Sequence, residues 1–191
     1  MQKFSIVDGQ LLQARQVPSP NCNQRATGEV LELLVIHNIS LPPREYGGGY
    51  IEQFFQNSLD VDQHPYFASI KDLHVSAHLL ITRIGEVVQF VNFKDRAWHA
   101  GVSNYKDRRD CNDFSIGIEL EGCDDEAFTQ QQYQVLAQVS TALQSAYPLI
   151  NVENTHGHSD IAPGRKTDPG DSFDWKKYRD LWVGKVNSSS S

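Results

Sequence analysis

Residues 31–39 read Leu31-Glu-Leu-Leu-Val-Ile-His-Asn-Ile39, a run of large aliphatic residues that leads into a histidine. Residues of this kind favour β-structure, so the run predicts a buried core strand. The loop that follows, Leu41-Pro-Pro-Arg-Glu-Tyr-Gly-Gly-Gly49, is rich in residues that bend the backbone. The sequence therefore places His37 where a core strand emerges, and a rigid element there can hold an imidazole at the edge of a cleft.

The composition indicates one globular domain. Of 191 residues, 39% are hydrophobic and 21% are charged, which is enough apolar material for a buried core. No window approaches the roughly 20 apolar residues that span a bilayer, so we expect no membrane insertion. The formal net charge of −7 argues against a nucleic-acid partner, because nucleic-acid-binding proteins need a basic surface.

Two features of the chain favour the cytoplasm. The first ten residues contain no apolar segment of about 7 to 15 residues of the kind that a secretory signal needs. Cys22, Cys111 and Cys123 form an odd set without short spacings, which fits reduced thiols better than a disulfide framework. We therefore expect a cytoplasmic protein.

Two further segments predict strands. Residues 75–83 and 86–91, joined through Ile84-Gly85, predict a β-hairpin, because glycine accepts the positive φ of a tight turn. Residues 115–122 read Ser115-Ile-Gly-Ile-Glu-Leu-Glu-Gly122, in which side chains alternate between two faces. One face is apolar, with Ile116, Ile118 and Leu120, and the other carries Glu119 and Glu121.

Helical periodicity recurs in three segments. Residues 50–59 predict a short amphipathic helix, and residues 173–182 predict a closing helix with aromatic residues on one face. A longer helix begins after Thr129, a plausible N-cap, and extends through Tyr147 to the break at Pro148. Its predicted inward residues are Tyr133, Leu136, Ala137, Val139, Ser140 and Leu143. We expect a folded domain over residues 1–187 and a disordered serine tail over 188–191.

The late segment Thr155-His-Gly-His-Ser-Asp-Ile-Ala-Pro-Gly-Arg-Lys-Thr-Asp-Pro-Gly170 has the composition of a metal site. Histidine nitrogens and aspartate oxygens are usual ligands of catalytic zinc. Along an extended segment, alternation places His156 and His158 on the same face, so spacing leaves open which of them binds metal. Asp168 is a good further ligand, because Pro169 and Gly170 constrain the backbone after it.

The other parts of a catalytic centre have several candidates. Glu119 or Glu121 offers a general base beside a metal-activated water, although two solvated charges on an edge strand would leave the same pattern. Lys166 offers a positive charge for a developing oxyanion. A cysteine nucleophile is the competing enzyme class, but no motif surrounds Cys111 or Cys123.

An ordered set of motifs resembles a known family. The motifs are Val35-Ile-His37-Asn, Val75-Ser-Ala-His78, Ala97-Trp-His-Ala-Gly101, Phe114-Ser-Ile-Gly-Ile-Glu119-Leu-Glu-Gly122, Thr155-His-Gly-His158 and Arg165-Lys-Thr-Asp-Pro-Gly170. From about Val17 to Trp175 the chain is similar to the zinc-dependent N-acetylmuramoyl-L-alanine amidases, and to their cytoplasmic branch that acts on 1,6-anhydro muropeptides in cell-wall recycling.

The resemblance implies roles for particular residues. It implies Zn²⁺ held by His37, His158 and Asp168, with Glu119 as the catalytic carboxylate and Lys166 as the lysine that faces the transition state. It leaves His156 outside the ligand set. It also implies that the substrate is a small muropeptide, cleaved between the lactyl group of anhydro-N-acetylmuramic acid and L-alanine.

The resemblance also implies a fold and a substrate groove. The expected fold is a single α/β domain with a mixed central sheet flanked by helices and a zinc site at one edge of the sheet. Asn38, Tyr66, Trp98 and His99 fall in loops that the family places around its substrate. The alternative function is a muropeptide-binding module of the same fold that has lost the chemistry.

Overall fold

A mixed β-sheet forms the centre of the protein. The structure is a computed structural model that describes residues 3–189, with side chains through residue 184. Its strands are β1 (Arg15–Gln16), β2 (Leu33–Ile39), β3 (Leu79–Ile81), β4 (Val87–Gln89), β5 (Ser115–Glu121) and β6 (Thr155–Gly157), in the spatial order β6-β2-β5-β3-β4-β1. Strand β2 pairs in parallel with β5 and β6, and β5 pairs in parallel with β3. Strands β3 and β4 are antiparallel, whereas β1 and β4 are parallel. The predicted mixed sheet is therefore confirmed.

Helices and short elements complete the chain. The helices are α1 (Tyr50–Phe55), α2 (Gln130–Ala146), α3 (His158–Ile161) and α4 (Trp175–Ser189). Short 3-10 turns lie at Val61–Gln63, Pro65–Ser69 and Cys111–Asp113. Three two-stranded ribbons pair Ile6–Val7 with Gln10–Leu11, Cys22–Gln24 with Asp95–Ala97, and Asn104–Tyr105 with Arg108–Arg109. The ribbons have no counterpart in the sequence predictions, because strands of two or three residues are too short to show a period.

The two faces of the sheet have different roles. Ile116, Ile118 and Leu120 of β5 belong to the main apolar core, which also contains the buried residues of α2 and the aromatic residues of α4. Side chains alternate along a strand, so Glu119 and Glu121 lie on the opposite face, as predicted. That face is covered by α1 and by loops, and it carries the polar groups described below.

The long helix α2 agrees with its prediction. The Thr129 hydroxyl accepts a hydrogen bond from the Gln132 N–H (3.1 Å), and the Gln132 side chain accepts one from the Thr129 N–H (3.0 Å). This reciprocal capping box satisfies two donors that would otherwise lack partners at the helix start. All six predicted inward residues of α2 are buried.

The two other predicted helices have different bounds. Helix α1 ends at Phe55, four residues early, because Asn57 adopts a left-handed conformation (φ 57°). Helix α4 begins two residues late, at Trp175, where the Asp174 carboxylate accepts the Lys177 N–H (2.9 Å) as a cap.

The C-terminal end of α4 differs from the predicted serine tail. Ser188 and Ser189 continue the helix, since extending an existing helix adds a hydrogen bond for each residue fixed. Residues 190–191 of the predicted tail lie outside the described residues, and the domain boundary at residue 187 stays a prediction.

The predicted hairpin is present with shorter strands. Gly85 has φ 83°, and its N–H donates to the Thr82 carbonyl (2.9 Å) to close the turn between β3 and β4.

Across residues 3–189, no helix combines the length and the apolar character needed to cross a bilayer.

The docking of α4 gives a testable expectation. Trp182 is fully buried, its ring lies 5.7 Å from that of Tyr178, and the Tyr178 hydroxyl meets Ser140 Oγ of α2 at 2.7 Å. We expect Trp182→Ala to lower the free energy of unfolding by about 3–5 kcal/mol, because it leaves a cavity.

The neighbouring Val183, which is 45% exposed, is the matched control. Val183→Ala should change stability by no more than about 0.5 kcal/mol, and urea unfolding of both variants measures the difference. Equal stabilities would contradict the docking.

Candidate active site

Three side chains from two distant parts of the chain converge at the carboxyl ends of β2 and the edge strand β6. His37 Nδ1 lies 2.9 Å from Asp168 Oδ2 and 3.0 Å from His158 Nδ1, and His158 Nδ1 lies 3.1 Å from Asp168 Oδ2. Both histidines are buried, and Asp168 is partly exposed. The three atoms thus form a small triangle of nitrogen and oxygen donors.

The proton positions around His158 make this triangle suitable for a cation. His158 Nε2 lies 2.9 Å from the Ala100 carbonyl oxygen, which can only accept, so Nε2 carries the proton. When the ring carries only this proton, its Nδ1 presents a lone pair to the Asp168 carboxylate. Two such acceptors at 3.1 Å repel each other unless a proton or a metal cation lies between them. In tetrahedral zinc sites with bonds of about 2.0–2.1 Å, neighbouring donors are about 3.3 Å apart, so the donor set fits such an ion.

His156 lies outside this cluster. Its ring packs against Tyr105 (centroids 5.0 Å apart), and its Nδ1 is 3.8 Å from Asp160 Oδ2. The expectation that His156 and His158 share a face is wrong, because the extended chain ends at Gly157 and His158 begins α3. The Asp160 carboxylate accepts the Gly157 N–H (2.8 Å) at this turn. Within residues 3–189, His37, His158 and Asp168 are the residues grouped closely enough to hold an ion.

Glu119 is the carboxylate that faces the cluster. It lies opposite His37 in the parallel pairing of β5 with β2, so both side chains point to the same face of the sheet. Glu119 is 8% exposed, and its Oε2 has no hydrogen-bond partner among the described residues. Glu121, the other candidate, instead accepts the Gly47 N–H (2.6 Å) and the Arg83 N–H (2.9 Å). It therefore anchors two loops and does not line the cavity around the cluster.

Burial dominates the electrostatics of the site. It raises the pKa of Glu119 well above its usual value, and the nearby Asp168 charge adds to this effect. Burial also lowers the pKa of His37 to about 4, although the hydrogen bond to Asp168 acts in the opposite direction. Burial alone would raise the pKa of Asp168, but the hydrogen bonds with His158 and His37 outweigh it and lower that pKa below its ordinary value. At neutral pH, His37 is thus a neutral imidazole, as metal ligation requires.

A cavity of about 370 Å³ contains the cluster, and most of the predicted site residues line it. Glu119, Lys166, Asn38 and Tyr66 are among its walls. Lys166 is exposed at the rim. The Asn38 Nδ2 donates to Asp124 Oδ1 (2.7 Å) and to the Pro169 carbonyl (3.0 Å), so Asn38 also braces the residue after Asp168.

Trp98 and His99, the two remaining residues predicted to bind substrate, differ in their surroundings. Trp98 is not among the residues that line this cavity, and its Nε1–H donates to Asn23 Oδ1 (2.7 Å). His99 does line the cavity but is 9% exposed. Its Nδ1 contacts His37 Nε2 (2.9 Å), and its Nε2 contacts Ser115 Oγ (3.1 Å). Both nitrogens of His99 are thus engaged by the protein.

Sequence reasoning missed one wall of the cavity. This wall is apolar and is formed by Leu41, Phe54, Phe55, Ile70, Leu73 and Val75. These residues come from loops and from α1, so no single segment shows a pattern that joins them. The exposure of Leu73 (52%) and Tyr66 (38%) marks the open side of the groove.

Comparison with known proteins agrees with this geometry. The sequence model of the family described as N-acetylmuramoyl-L-alanine amidase matches residues 27–171. These residues include all three donors, Glu119 and Lys166. The chain therefore belongs to the N-acetylmuramoyl-L-alanine amidase family.

Individual relatives are similar over nearly the whole chain. The chain is 58% identical over 174 residues to the 1,6-anhydro-N-acetylmuramyl-L-alanine amidase AmpD of Citrobacter freundii, covering 91% of this chain and 92% of the relative. A crystal structure of a selenomethionine derivative of AmpD has a TM-score of 0.90 and 56% identity, covering 95% of this chain and 99% of that one. AmpDh3 of Pseudomonas aeruginosa, solved in complex with anhydromuramic pentapeptide, has a TM-score of 0.59 and 30% identity, covering 85% and 65%.

The burial of Glu119 gives a prediction for the metal-free protein. Its pKa in the folded state is raised above the usual value near 4.5, so the stability of the wild type falls as pH rises from about 4.5 through the folded pKa. Glu119→Gln removes this titration. We expect the variant to be more stable than the wild type at pH 7, and the difference to shrink towards zero as pH falls to 4.5. Urea unfolding across this range, with chelator present, measures it. A difference that does not vary with pH would contradict the assignment.

Proposed function

We propose that this protein hydrolyses the amide between anhydro-N-acetylmuramic acid and L-alanine in small cell-wall muropeptides, as part of peptidoglycan recycling. The observation that carries the proposal is the buried cluster of His37, His158 and Asp168 beside Glu119, inside a family whose named members are amidases. The high identity to AmpD over almost the full length of both chains supports the anhydro sugar as the substrate.

The proposed cofactor is Zn²⁺, with His37, His158 and Asp168 as its ligands. Two imidazole nitrogens and one carboxylate are a ligand set of catalytic zinc sites, which keep a further position open. A bound Zn²⁺ supplies a Lewis acid that acidifies water and attracts negative charge on a carbonyl oxygen.

The protein's own groups perform the proton transfers. Glu119 takes a proton from the attacking water, which adds to the amide carbon, and it returns the proton to the alanine nitrogen as the bond to that nitrogen breaks. Burial raises the pKa of Glu119 from its usual acidic range, a direction that favours a group which must both accept and return a proton. Among the described residues, no donor competes for Glu119 Oε2, so it is available as an acceptor.

Lys166 and the groove have supporting roles in this proposal. The Lys166 ammonium at the rim stabilises the oxyanion that forms as water adds. Asn38 and Tyr66 contact the muropeptide from the cavity wall, and Trp98 contributes to the surrounding surface. The apolar wall that contains Phe54 and Leu73 packs against the less polar parts of the substrate.

The proposed compartment is the cytoplasm. All three cysteines are free, and Cys111 is fully buried. Free thiols are typical of proteins in a reducing environment.

The proposed activity is tested with purified anhydromuropeptide and zinc. We expect the wild type to release the stem peptide, which mass spectrometry detects, and we expect Glu119→Ala to slow the release by about 10²–10⁴-fold because the proton transfers are lost. The same peptide on ordinary N-acetylmuramic acid tests the preference for the anhydro sugar. A wild type that binds the muropeptide without releasing peptide would instead establish the non-catalytic binding module.

The proposed ligands are tested by metal content. After dialysis against zinc and then against buffer, the wild type should retain about one zinc per chain, as expected for a single three-residue site. His37→Ala, His158→Ala and Asp168→Ala should lose most of it, whereas His156→Ala, the matched control on the same segment, should keep it. Elemental analysis gives the ratio. Retention by His158→Ala with loss by His156→Ala would reverse the assignment.

A further inference from the structure

The imidazole of His99 fills the space directly behind His37. Its Nδ1 meets His37 Nε2 at 2.9 Å on the side of His37 that faces away from the cluster. The two rings are nearly perpendicular, with centroids 5.0 Å apart. His99 therefore contacts the outer nitrogen of a ligand histidine without itself reaching the donor triangle.

The strand beneath His99 is shaped to receive this ring. Gly117 lies on β5 between Ser115 and Glu119, and a Cβ at Gly117 would come within 2.5 Å of His99 Cγ and Nδ1. Any larger residue would push the imidazole off the sheet. The φ of Gly117 is not in the left-handed region, so the glycine is required here by space and not by backbone conformation.

Ser115 gives His99 Nε2 a hydrogen-bond partner that can accept its proton. The Ser115 hydroxyl lies 3.1 Å from His99 Nε2, and Ser115 is fully buried. When His99 Nε2–H donates to this hydroxyl, the Nδ1 of the neutral ring is an acceptor for His37 Nε2–H. His37 Nδ1 then presents its lone pair to the donor triangle, which is the tautomer that a metal ligand needs.

Asn112 holds the loop that carries His99. The Asn112 Oδ1 accepts hydrogen bonds from the backbone N–H of His99 (3.0 Å) and of Ala100 (2.8 Å), and Asn112 is buried. The carbonyl of Ala100 in turn accepts the Nε2–H of His158. Two adjacent residues of one loop thus orient both histidines of the cluster.

We propose that His99 is a positioning residue of the metal site, which selects the tautomer and the ring orientation of His37 and is supported by Ser115 and Gly117. This role replaces direct contact with substrate for His99, and it rests on the metal site proposed above. Outer-shell partners of this type change metal affinity by about 10–100-fold when they are removed.

The decisive pair of variants is His99→Asn and His99→Leu. The Oδ1 of asparagine is as many bonds from Cα as the Nδ1 of histidine, so His99→Asn keeps a hydrogen-bond acceptor for His37. Leucine branches at the same atom but has no hydrogen-bond acceptor. Zinc alone is the probe, and its dissociation constant is measured by competition with a chromogenic chelator. We expect His99→Leu to weaken zinc binding by about 10–100-fold, and His99→Asn to remain within about threefold of the wild type.

A second pair separates positioning from general stability. Ser115→Ala removes the hydroxyl partner of His99 Nε2, and Ser140→Ala removes an equally buried hydroxyl of α2, on the other side of the sheet, where it contacts Tyr178. Both should lower stability in urea, but only Ser115→Ala should weaken zinc binding and alter the visible absorption spectrum of the cobalt-substituted protein.

The outcomes distinguish the two proposals. A wild type that does not bind zinc contradicts the metal site itself. A wild type that binds zinc, together with a His99→Leu variant of equal affinity and an unchanged cobalt spectrum in Ser115→Ala, overturns the positioning role alone. If His99→Leu does not fold, the comparison of Ser115→Ala with Ser140→Ala decides the question.

Discussion

Strand β2 pairs in parallel with β5 on one side and β6 on the other, and this pairing brings His37, Glu119 and His158 to one place. Glu119 is opposite His37, and Gly157 is opposite Ile36, so His158 leaves the sheet beside His37. A slip of one residue would move Glu119 to the other face of the sheet. That face is the apolar core beneath α2, so the hydrophobic pattern of β5 that fixes the fold also fixes the catalytic geometry.

The site combines groups that are costly to bury. On a face shielded from water lie the Glu119 carboxylate, whose Oε2 lacks a hydrogen-bond partner among the described residues, and the buried His37, His99 and His158. In such surroundings charges interact more strongly than in water, and side chains held in advance need little reorganisation during a reaction. The main core on the opposite face, with α2 and α4, supplies the apolar burial that offsets this cost. The apolar face of the sheet therefore stabilises the fold, and the polar face carries the residues of the candidate site.

Much of the fold and part of the site could be predicted from the sequence. The buried strand within 31–39, the alternation in β5 and the capped helix α2 follow from local sequence patterns and are confirmed. The bounds of α1 and α4 were misplaced, because the left-handed turn at Asn57 and the cap at Asp174 override periodicity. The two-stranded ribbons and the apolar wall of the cavity depend on partners far away in the chain, and so leave no local pattern.

The sequence by itself determined the set of candidate site residues: it contains the histidines, Asp168, Glu119 and Lys166 in the order that marks the family. Local spacing left His156 and His158 equivalent and did not separate Glu119 from Glu121. The family resemblance implied a choice within each pair, and the tertiary structure shows the physical difference between the two members. The chain turns into α3 at His158, the loop N–H groups of Gly47 and Arg83 occupy Glu121, and His99 lies behind His37. Most of these contacts join residues that are tens of positions apart in the chain. The spacing of residues along one strand or helix follows from local geometry, but the distance between two such elements depends on how they pack.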